Sequence, residues 1–539
     1  MKKIYKNDAC ILVLLIILFS VYAAVFIHRT SFVIDGEQYF SLFDDAMVSM
    51  RYAKNLAGGH GLVMNPGERV EGITNPLWTL YMAAVHILPL PQSKFSVVIQ
   101  ITGILLLLAN LVFVRKAALL VSGGASRVAV AAMILTAFYL PLVNWTLQGM
   151  ETGLQTAIVG IALWRAVAVL KGRRFCPWVY VLLGVNTLVR IDMAVPYIGI
   201  WMFLVYAVPE QRKKHLLWGA VTLALFLGGQ TIARWVYYGD PLPNTYYLKM
   251  TGYPVLLRIT RGFLVWWKFA WKLNVILLIG TIIVTAARYS PDRGLLATVV
   301  VMQMLYSIYV GGDAWEDVGG SNRYISIAMP AFFILFALAL SDMRDAVAKA
   351  LKKERGGFTG LRRFFVDNHF AVLVLIAFIQ FNSNATPLSL RGMIFLDRPF
   401  HYDNNKGMVE RAIMVKRITT PEAKIAVTWA GAIPYFSGLY TVDILGKTDR
   451  TIAREKMRTV DGIERFTFFL PGHMKYDYAY SVGVLKPDAV LQFWGELKES
   501  EPYIVDTYTR LVVENMFFYL RNGSPNVLWS KFMNGQGNN

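Results

Sequence analysis

The stretch SLFDDAMVSMRYAKNLAGGHG, residues 41–61, follows the first long apolar run and sets two adjacent carboxylates, Asp44 and Asp45, at the start of a helical pattern. Such a pair can take a proton from a hydroxyl, hold a cation, or only favour a helix dipole by ~0.3–1 kcal/mol. Ser41, three residues before Asp44, is capping-box-like and Gly58-Gly59 is a stop, so the spacing predicts one amphipathic helix over 42–57. Helical spacing puts Ser49, Tyr52 and Asn55 on the side of Asp45, and the following segment adds His60, Asn65, Glu68, Arg69, Glu71, Thr74 and Asn75. A plain connector has no use for so many hydrogen-bonding groups.

Further polar stretches stand between apolar runs: LQGMETG with Glu151, RID with Arg190 and Asp192, YYGDPLPNTYYLKM with Asp240, Asn244, Tyr246 and Lys249, and GGDAWEDVGGSNRY with Asp313 and Arg323. Arg190, Lys249 and Arg323 fall at the ends of runs, where a cation can meet an anionic headgroup. Equally, Arg190 can pair with Asp192, and Lys249 can snorkel. His60 reads as readily as a satisfied loop histidine.

The elements that must position these groups are membrane helices. Of 539 residues 55% are hydrophobic and 17% charged, which excludes a soluble globule. The net charge of +19 reflects topology signals rather than nucleic-acid binding, because no basic stripe is interleaved with stacking aromatics. Cys10 and Cys176 have no paired spacing, so neither a disulfide framework nor a zinc site is indicated. Apolar runs near 9–28, 94–114, 127–145, 153–170, 177–189, 193–208, 215–235, 271–287, 294–310, 324–341 and 369–382 approach the ~20 residues that a helix needs to cross a bilayer.

A segment at 76–91, fenced by Pro76, Pro89 and Pro91, decides the topology. If it lies in the interface, the clusters Lys2/Lys3/Lys6, Arg115/Lys116, Lys171/Arg173/Arg174, Arg212/Lys213/Lys214, Arg288/Arg293 and a 342–363 loop all fall inside. This predicts eleven crossings of the cytoplasmic membrane with the amino terminus inside. The first run, with about 19 apolar residues, exceeds a signal-peptide core and reads as an uncleaved anchor. Every unusual polar stretch then lies outside, the first external loop spanning 29–93. Residues 1–382 form the polytopic all-α domain, and 383–539, with strand-like AKIAVTW, LYTVDILG and PDAVLQF, a small external α/β domain. No internal repeat is evident.

The residues also resemble a family. DDAMVSMRYAKNLAGGHGLVMNPGERVEGITNPLWTL is similar to the first external loop of AftB-like arabinofuranosyltransferases, polytopic enzymes of the GT-C class. GMET, RID, YYGDPLPNTYYLK, GGD with Arg323 and Pro330, then GAIPYFSG, VDILG and PGH follow in order, so the resemblance covers nearly the whole chain. Ile191 stands where the family often has Pro, Met150 where it has Leu, and the loop carrying Glu316 and Asp317 is longer.

The resemblance implies a GT-C fold and a sugar, D-arabinofuranose, moved from a polyprenyl-phosphate donor to an extracytoplasmic glycan or protein acceptor. The acceptor hydroxyl must lose a proton, and the leaving phosphate needs positive charge. The resemblance makes Asp44 the base, with Asp45 positioning the acceptor or a metal. Arg190, Lys249, Arg323, Asn244 and Tyr246 would serve the donor phosphate. Tyr52, Asn55, His60, Glu68, Glu71, Asn75, Glu151, Asp192, Asp240 and Asp313 would serve sugar or acceptor. A divalent cation bridging Asp45 and the phosphate is compatible with this set, although no ligand spacing demands one. The matched blocks of the tail carry no evident base or phosphate cradle, which implies an accessory role shaping the acceptor cleft.

Two other classes compete. A transporter or flippase would place ionisable groups near midplane and show paired broken helices. A scaffold whose tail binds a partner would need far fewer helices.

Overall fold

The computed structural model describes residues 4–316, 322–353, 360–383, 390–458 and 469–533. The chain opens with α1 (Ile4–Thr30), then a hairpin of β1 (Phe32–Ile34) and β2 (Glu37–Tyr39), α2 (Asp44–Ala57) and α3 (Pro76–Val85). Both hairpin-turn residues, Asp35 and Gly36, have positive φ, as a two-residue turn with the twist of its strands requires. Helices α4 (Phe95–Val121), α5 (Ser126–Ala137), α6 (Leu140–Leu147), α7 (Thr152–Gly172), α8 (Trp178–Val189), α9 (Ala194–Ala207), α10 (Arg212–Leu223) and α11 (Gly229–Tyr238) follow. After the short α12 (Asn244–Met250) come α13 (Val255–Lys272), α14 (Val275–Ala287), α15 (Pro291–Val310), α16 (Arg323–Ser326), α17 (Met329–Lys353) and α18 (Gly360–Ser383).

Every apolar run anticipated from the sequence lies on these helices. By length and composition, however, the described residues give five spans, or seven if each bent pair is one span. That is fewer than eleven, because α8, α9 and the apolar part of α18 are shorter than a full crossing, and the apolar part of α17 gives way to Asp342, Arg344 and Asp345. The run at 271–287 is not one straight helix: α13 and α14 meet at 91°, with Asn274 at positive φ and its side chain capping Ile276 N–H. The interface segment is the ten-residue α3. The expected 342–363 loop is partly helix, since α17 runs on to Lys353; Gly356 and Asp317 lie outside the described residues. Leu105, Val236, Leu256 and Ile276 are exposed on the outer surface of the bundle, which a lipid solvent accepts and water does not. The chain is a multi-pass membrane protein.

The tail holds α19 (Leu390–Met393), α20 (Tyr402–Ile418), β3 (Lys424–Val427), α21 (Ala432–Ser437), β4 (Tyr440–Asp443), α22 (Arg450–Arg454), β5 (Ala489–Val490), β6 (Tyr508–Val513) and β7 (Met516–Arg521). Its five strands run in the order β4-β3-β5-β7-β6, the first three parallel and the β6–β7 hairpin antiparallel. The three strands anticipated from the sequence are β3, β4 and β5; the hairpin is additional. The bundle has its own apolar core, containing Ala132, Leu163, Val299 and Phe333. A second core joins Met47 and Met50 of α2 and Trp78 of α3 to Ile433 of α21, Val427 of β3 and Phe518 of β7. Burial of these side chains fixes the first loop against the tail, and the site forms along that seam.

Candidate active site

Asp45 lies in the first turn of α2, where the helix dipole favours a carboxylate. One oxygen accepts Arg323 Nη1–H at 2.9 Å, and the other accepts the ammonium of Lys447, from the loop after β4. Arg323 begins α16 and grips Asp313 through Nε at 2.6 Å and Nη2 at 2.8 Å, while its guanidinium lies 5.1 Å from the Trp145 ring centre. This bidentate pairing fixes the arginine plane and aims its remaining donor at Asp45. Burial works against both carboxylates, but Lys447, Arg323 and Lys249 hold Asp45 well below the usual carboxylate range, and Arg323 lowers Asp313.

A second arginine stands across the cleft. Arg190, at the end of α8, donates to Glu151 at 2.9 Å and to Asp192 at 3.2 Å. Glu151 also accepts Asn75 Nδ2–H at 2.7 Å, and Asn75 in turn accepts the Ser49 hydroxyl at 2.9 Å. Four cations, Arg190, Lys249, Arg323 and Lys447, and three carboxylates, Asp45, Asp192 and Asp313, line one cavity. Lys249 differs from the other three cations: among the described residues its ammonium has no ion-pair or hydrogen-bond partner. Burial and the neighbouring Arg323, Lys447 and Arg190 lower it to about 8, against the opposing pull of Asp45. Its stem passes over Gly472, where a Cβ would sit 2.9 Å from Lys249 Cε and where φ is +85°, so the PGH turn accepts only glycine beside this lysine.

Asp44 faces the other way. Buried at 5% exposure, it does not line the cavity and instead accepts the N–H of Ala432 at 2.9 Å, at the start of α21. A Cβ on Gly431 would lie 2.0 Å from the Asp44 carbonyl oxygen, so helix and tail meet there without side chains between them. Burial pushes the Asp44 carboxyl up to about 6, with Lys447 acting in the opposite direction. The helix starts at Asp44 rather than 42, and Ser41 gives no cap: its hydroxyl donates to Leu42 C=O.

Of the residues singled out in sequence, Asp45, Thr74, Arg190, Asp192, Tyr246, Lys249, Asp313 and Arg323 line the cavity, Ser49 and Asn75 line an adjoining recess, and Glu151 backs Arg190. The others hold the scaffold. Tyr52 donates to Val70 C=O, Asn55 to Val63 and Met64 C=O, and Glu68 takes the Tyr440 hydroxyl. Glu71 pairs with Arg234, and Asp240 with Arg450 and Arg454. His60 is exposed beside a separate pocket. Asn244 gives its amide to the carbonyls of Gly446, Lys447 and Asp449, each at 3.0 Å, and thereby shapes the loop that carries Lys447.

Sequence reasoning missed Lys447, His473, Trp315, Tyr306 and Tyr324 as cavity residues. The tail is therefore more than accessory: it supplies a cation to Asp45. The signal was adjacent, since VDILG ends one residue before Lys447. Asp443, in that block, accepts Thr448 N–H at 2.8 Å and Leu445 N–H at 3.0 Å and so turns the chain toward Lys447. Among the described residues the donor set does not fit a metal. Both Asp45 oxygens are taken by cations, and among the described residues no three His, Cys, Asp or Glu side chains converge.

Comparison with known proteins adds to this geometry. The family described as a domain of unknown function (DUF8728) matches residues 401–519, within the tail. Over 320 residues the chain is 25% identical to the terminal beta-(1->2)-arabinofuranosyltransferase of Mycobacterium tuberculosis, covering 50% of this chain and 48% of that protein. The chain thus spans about half the length of the curated relative it matches. Among solved structures, ArnT from Cupriavidus metallidurans aligns over 93% of this chain and 97% of its own, at 12% identity and a TM-score of 0.54. AglB, an oligosaccharyltransferase from Archaeoglobus fulgidus, aligns over 96% of this chain and 74% of its own, at 10% identity and a TM-score of 0.57. The chain shares the fold of ArnT and AglB.

Proposed function

We propose that this chain is a membrane glycosyltransferase that moves D-arabinofuranose from a polyprenyl-phosphate donor to an acceptor hydroxyl on the outer face of the cytoplasmic membrane. The observation that carries the reading is Lys249: a half-buried ammonium with no ion-pair partner among the described residues, beside Arg323, Lys447 and Arg190 in a cavity that also holds Asp45. A cationic group of this kind suits a phosphate, and a carboxylate in the same cavity suits a proton. The ArnT structure with undecaprenyl phosphate and the AglB structure with a dolichol-phosphate share the fold, which supports a lipid-phosphate donor. The Mycobacterium tuberculosis relative supports the sugar.

In this mechanism the acceptor oxygen attacks the anomeric carbon as the bond from that carbon to the phosphate oxygen breaks. The hydroxyl proton passes to Asp45, and the bonding pair leaves with the phosphate. The departing phosphate gains negative charge, which Lys249 meets without breaking an existing pair. Lys447, shared between Asp45 and the incoming phosphate, would loosen from the carboxylate and leave it more basic once donor binds. Arg323 and Arg190, each anchored by a carboxylate, would orient the phosphate without moving. A transporter would instead carry its ionisable groups within the spans, whereas this cavity draws them from α2, helix ends and the tail.

Purified protein in nanodiscs, given labelled polyprenyl-phosphate arabinofuranose and a panel of glycan and peptide acceptors, is expected to transfer label and release polyprenyl phosphate. Transfer only from a hexose donor would remove the arabinofuranose assignment. Movement of the donor across a vesicle bilayer without transfer would replace the enzyme reading by a flippase.

A further inference from the structure

Four aromatic rings at and beside the cavity are not used by the proposed mechanism. Trp315 follows α15, Trp429 follows β3, His473 belongs to the PGH turn, and Trp494 follows β5. Their ring centres form a connected set: Trp315 to Trp429 at 5.6 Å, Trp429 to Trp494 at 5.8 Å, His473 to Trp494 at 5.3 Å, and Trp315 to His473 at 6.0 Å. Trp315 and His473 line the same cavity as Asp45; Trp429 and Trp494 continue the ring surface beyond it. All four are partly exposed, although Trp315 also borders the second core, where it meets Phe43 edge-on at 5.0 Å.

The set is held from behind by polar ties. Trp494 Nε1–H donates to His473 C=O at 2.9 Å, and Trp494 N–H donates to the Tyr478 hydroxyl at 2.7 Å. The N–H groups of Thr428 and Trp429 both donate to Gln492 Oε1, at 3.1 and 2.9 Å. A ring surface placed by these part-buried hydrogen bonds and left partly open is preorganised for a flat ligand face. Burial keeps the His473 imidazole neutral at ordinary pH, so it presents a ring rather than a charge.

Two substrates compete for this wall. The same cavity is lined by Leu242, Pro243, Met250 and Val310 of the bundle, an apolar set that suits a polyprenyl chain. Three of the four rings, Trp429, His473 and Trp494, belong to the tail, and Trp315 reaches them from the loop after α15. Sugar rings have faces of polarised C–H bonds that pack on the negative face of an aromatic ring. An acceptor whose hydroxyl reaches Asp45 must run its remaining sugars outward along the wall that the lipid leaves free. We propose that Trp315, Trp429, His473 and Trp494 form an acceptor subsite that stacks the sugar rings of an oligosaccharide. The proposal rests on the transferase reading above, and it makes a carbohydrate, rather than a peptide, the acceptor.

The test uses the full chain in nanodiscs, with Trp429→Ala and Trp429→Phe. In transfer assays Trp429→Ala is expected to raise KM for an oligosaccharide acceptor roughly tenfold, with kcat changed far less and donor affinity unchanged. Trp429→Phe is expected to recover most of that loss. Wild-type tryptophan fluorescence should respond to the oligosaccharide without donor present, and this response should weaken in Trp429→Ala. A raised donor KM instead would assign the rings to the lipid and overturn the subsite. An unchanged acceptor KM with an unchanged fluorescence response would overturn it as well, as would a defect that Trp429→Phe shares in full. The fluorescence arm separates the two readings: oligosaccharide binding without any transfer supports the subsite and removes the transferase, whereas transfer indifferent to Trp429 removes the subsite alone.

Discussion

Lys447 of the tail places its ammonium on Asp45 of the first loop, two residues 402 positions apart in the chain. Asp45 is thus a carboxylate whose basicity depends on a cation from another part of the protein. A donor phosphate that draws Lys447 away from Asp45 would activate it at the moment it is needed. Replacing Lys447 by Met should therefore weaken donor binding and slow transfer, by roughly 10²- to 10³-fold in kcat/KM. Steady-state kinetics with varied donor would measure it, and an unchanged kcat/KM would remove Lys447 from the site.

Asp443 should act through that lysine. Its carboxylate accepts Thr448 and Leu445 N–H groups and so shapes the turn leading to Lys447. Asp443→Ala is expected to reproduce part of the Lys447→Met defect in donor binding. Combined with Lys447→Met it should add little, since both changes remove the same contact. Additive losses in the double variant would mean that Asp443 serves something else.

Lys249 gives the reaction an alkaline limb. Burial and neighbouring cations lower its ammonium to about 8, so below that pH it is charged and able to meet a phosphate, and above it the charge is lost. Donor kcat/KM should fall as pH rises through about 8. In Lys249→Arg, whose guanidinium stays protonated, the limb should move to higher pH even if the rate is lower. A profile indifferent to this substitution would show that another group titrates.

The Lys/Arg asymmetry predicts the sides. Cysteines replacing the exposed His60 and Lys498 should label from outside intact spheroplasts, and one replacing Gly356 should not. Labelling of Gly356→Cys from outside would turn the site to the cytoplasm.

How much of this could be read from sequence depended on distance along the chain. Asp45, Arg190, Lys249 and Arg323 stood out because charged groups at the ends of apolar runs need a reason. The choice between Asp44 and Asp45 did not follow, because neighbours on a helix point about 100° apart and only the position of α21 decides which faces the cavity. Asn244 read as a ligand group since an amide after Pro243 looks the same whether it holds a phosphate or three carbonyls. The β6–β7 hairpin escaped notice because its turn, Glu514-Asn515, has positive φ at both residues without a glycine to mark it. Lys447 was hidden by its placement in a domain whose role in the site depends on a fold-level contact.

The most direct test compares Asp45→Asn with Asp44→Asn in single-turnover transfer. Asp45→Asn removes the proton acceptor but frees Arg323 and Lys447 for phosphate, so donor should bind as well or more tightly while the transfer rate falls about 10²- to 10⁴-fold. Asp44→Asn keeps an oxygen for Ala432 N–H and removes a buried charge, so it should fold and transfer within a few-fold of wild type. The opposite pattern, a slow Asp44→Asn enzyme beside a fast Asp45→Asn one, would contradict the assignment of Asp45 as the base.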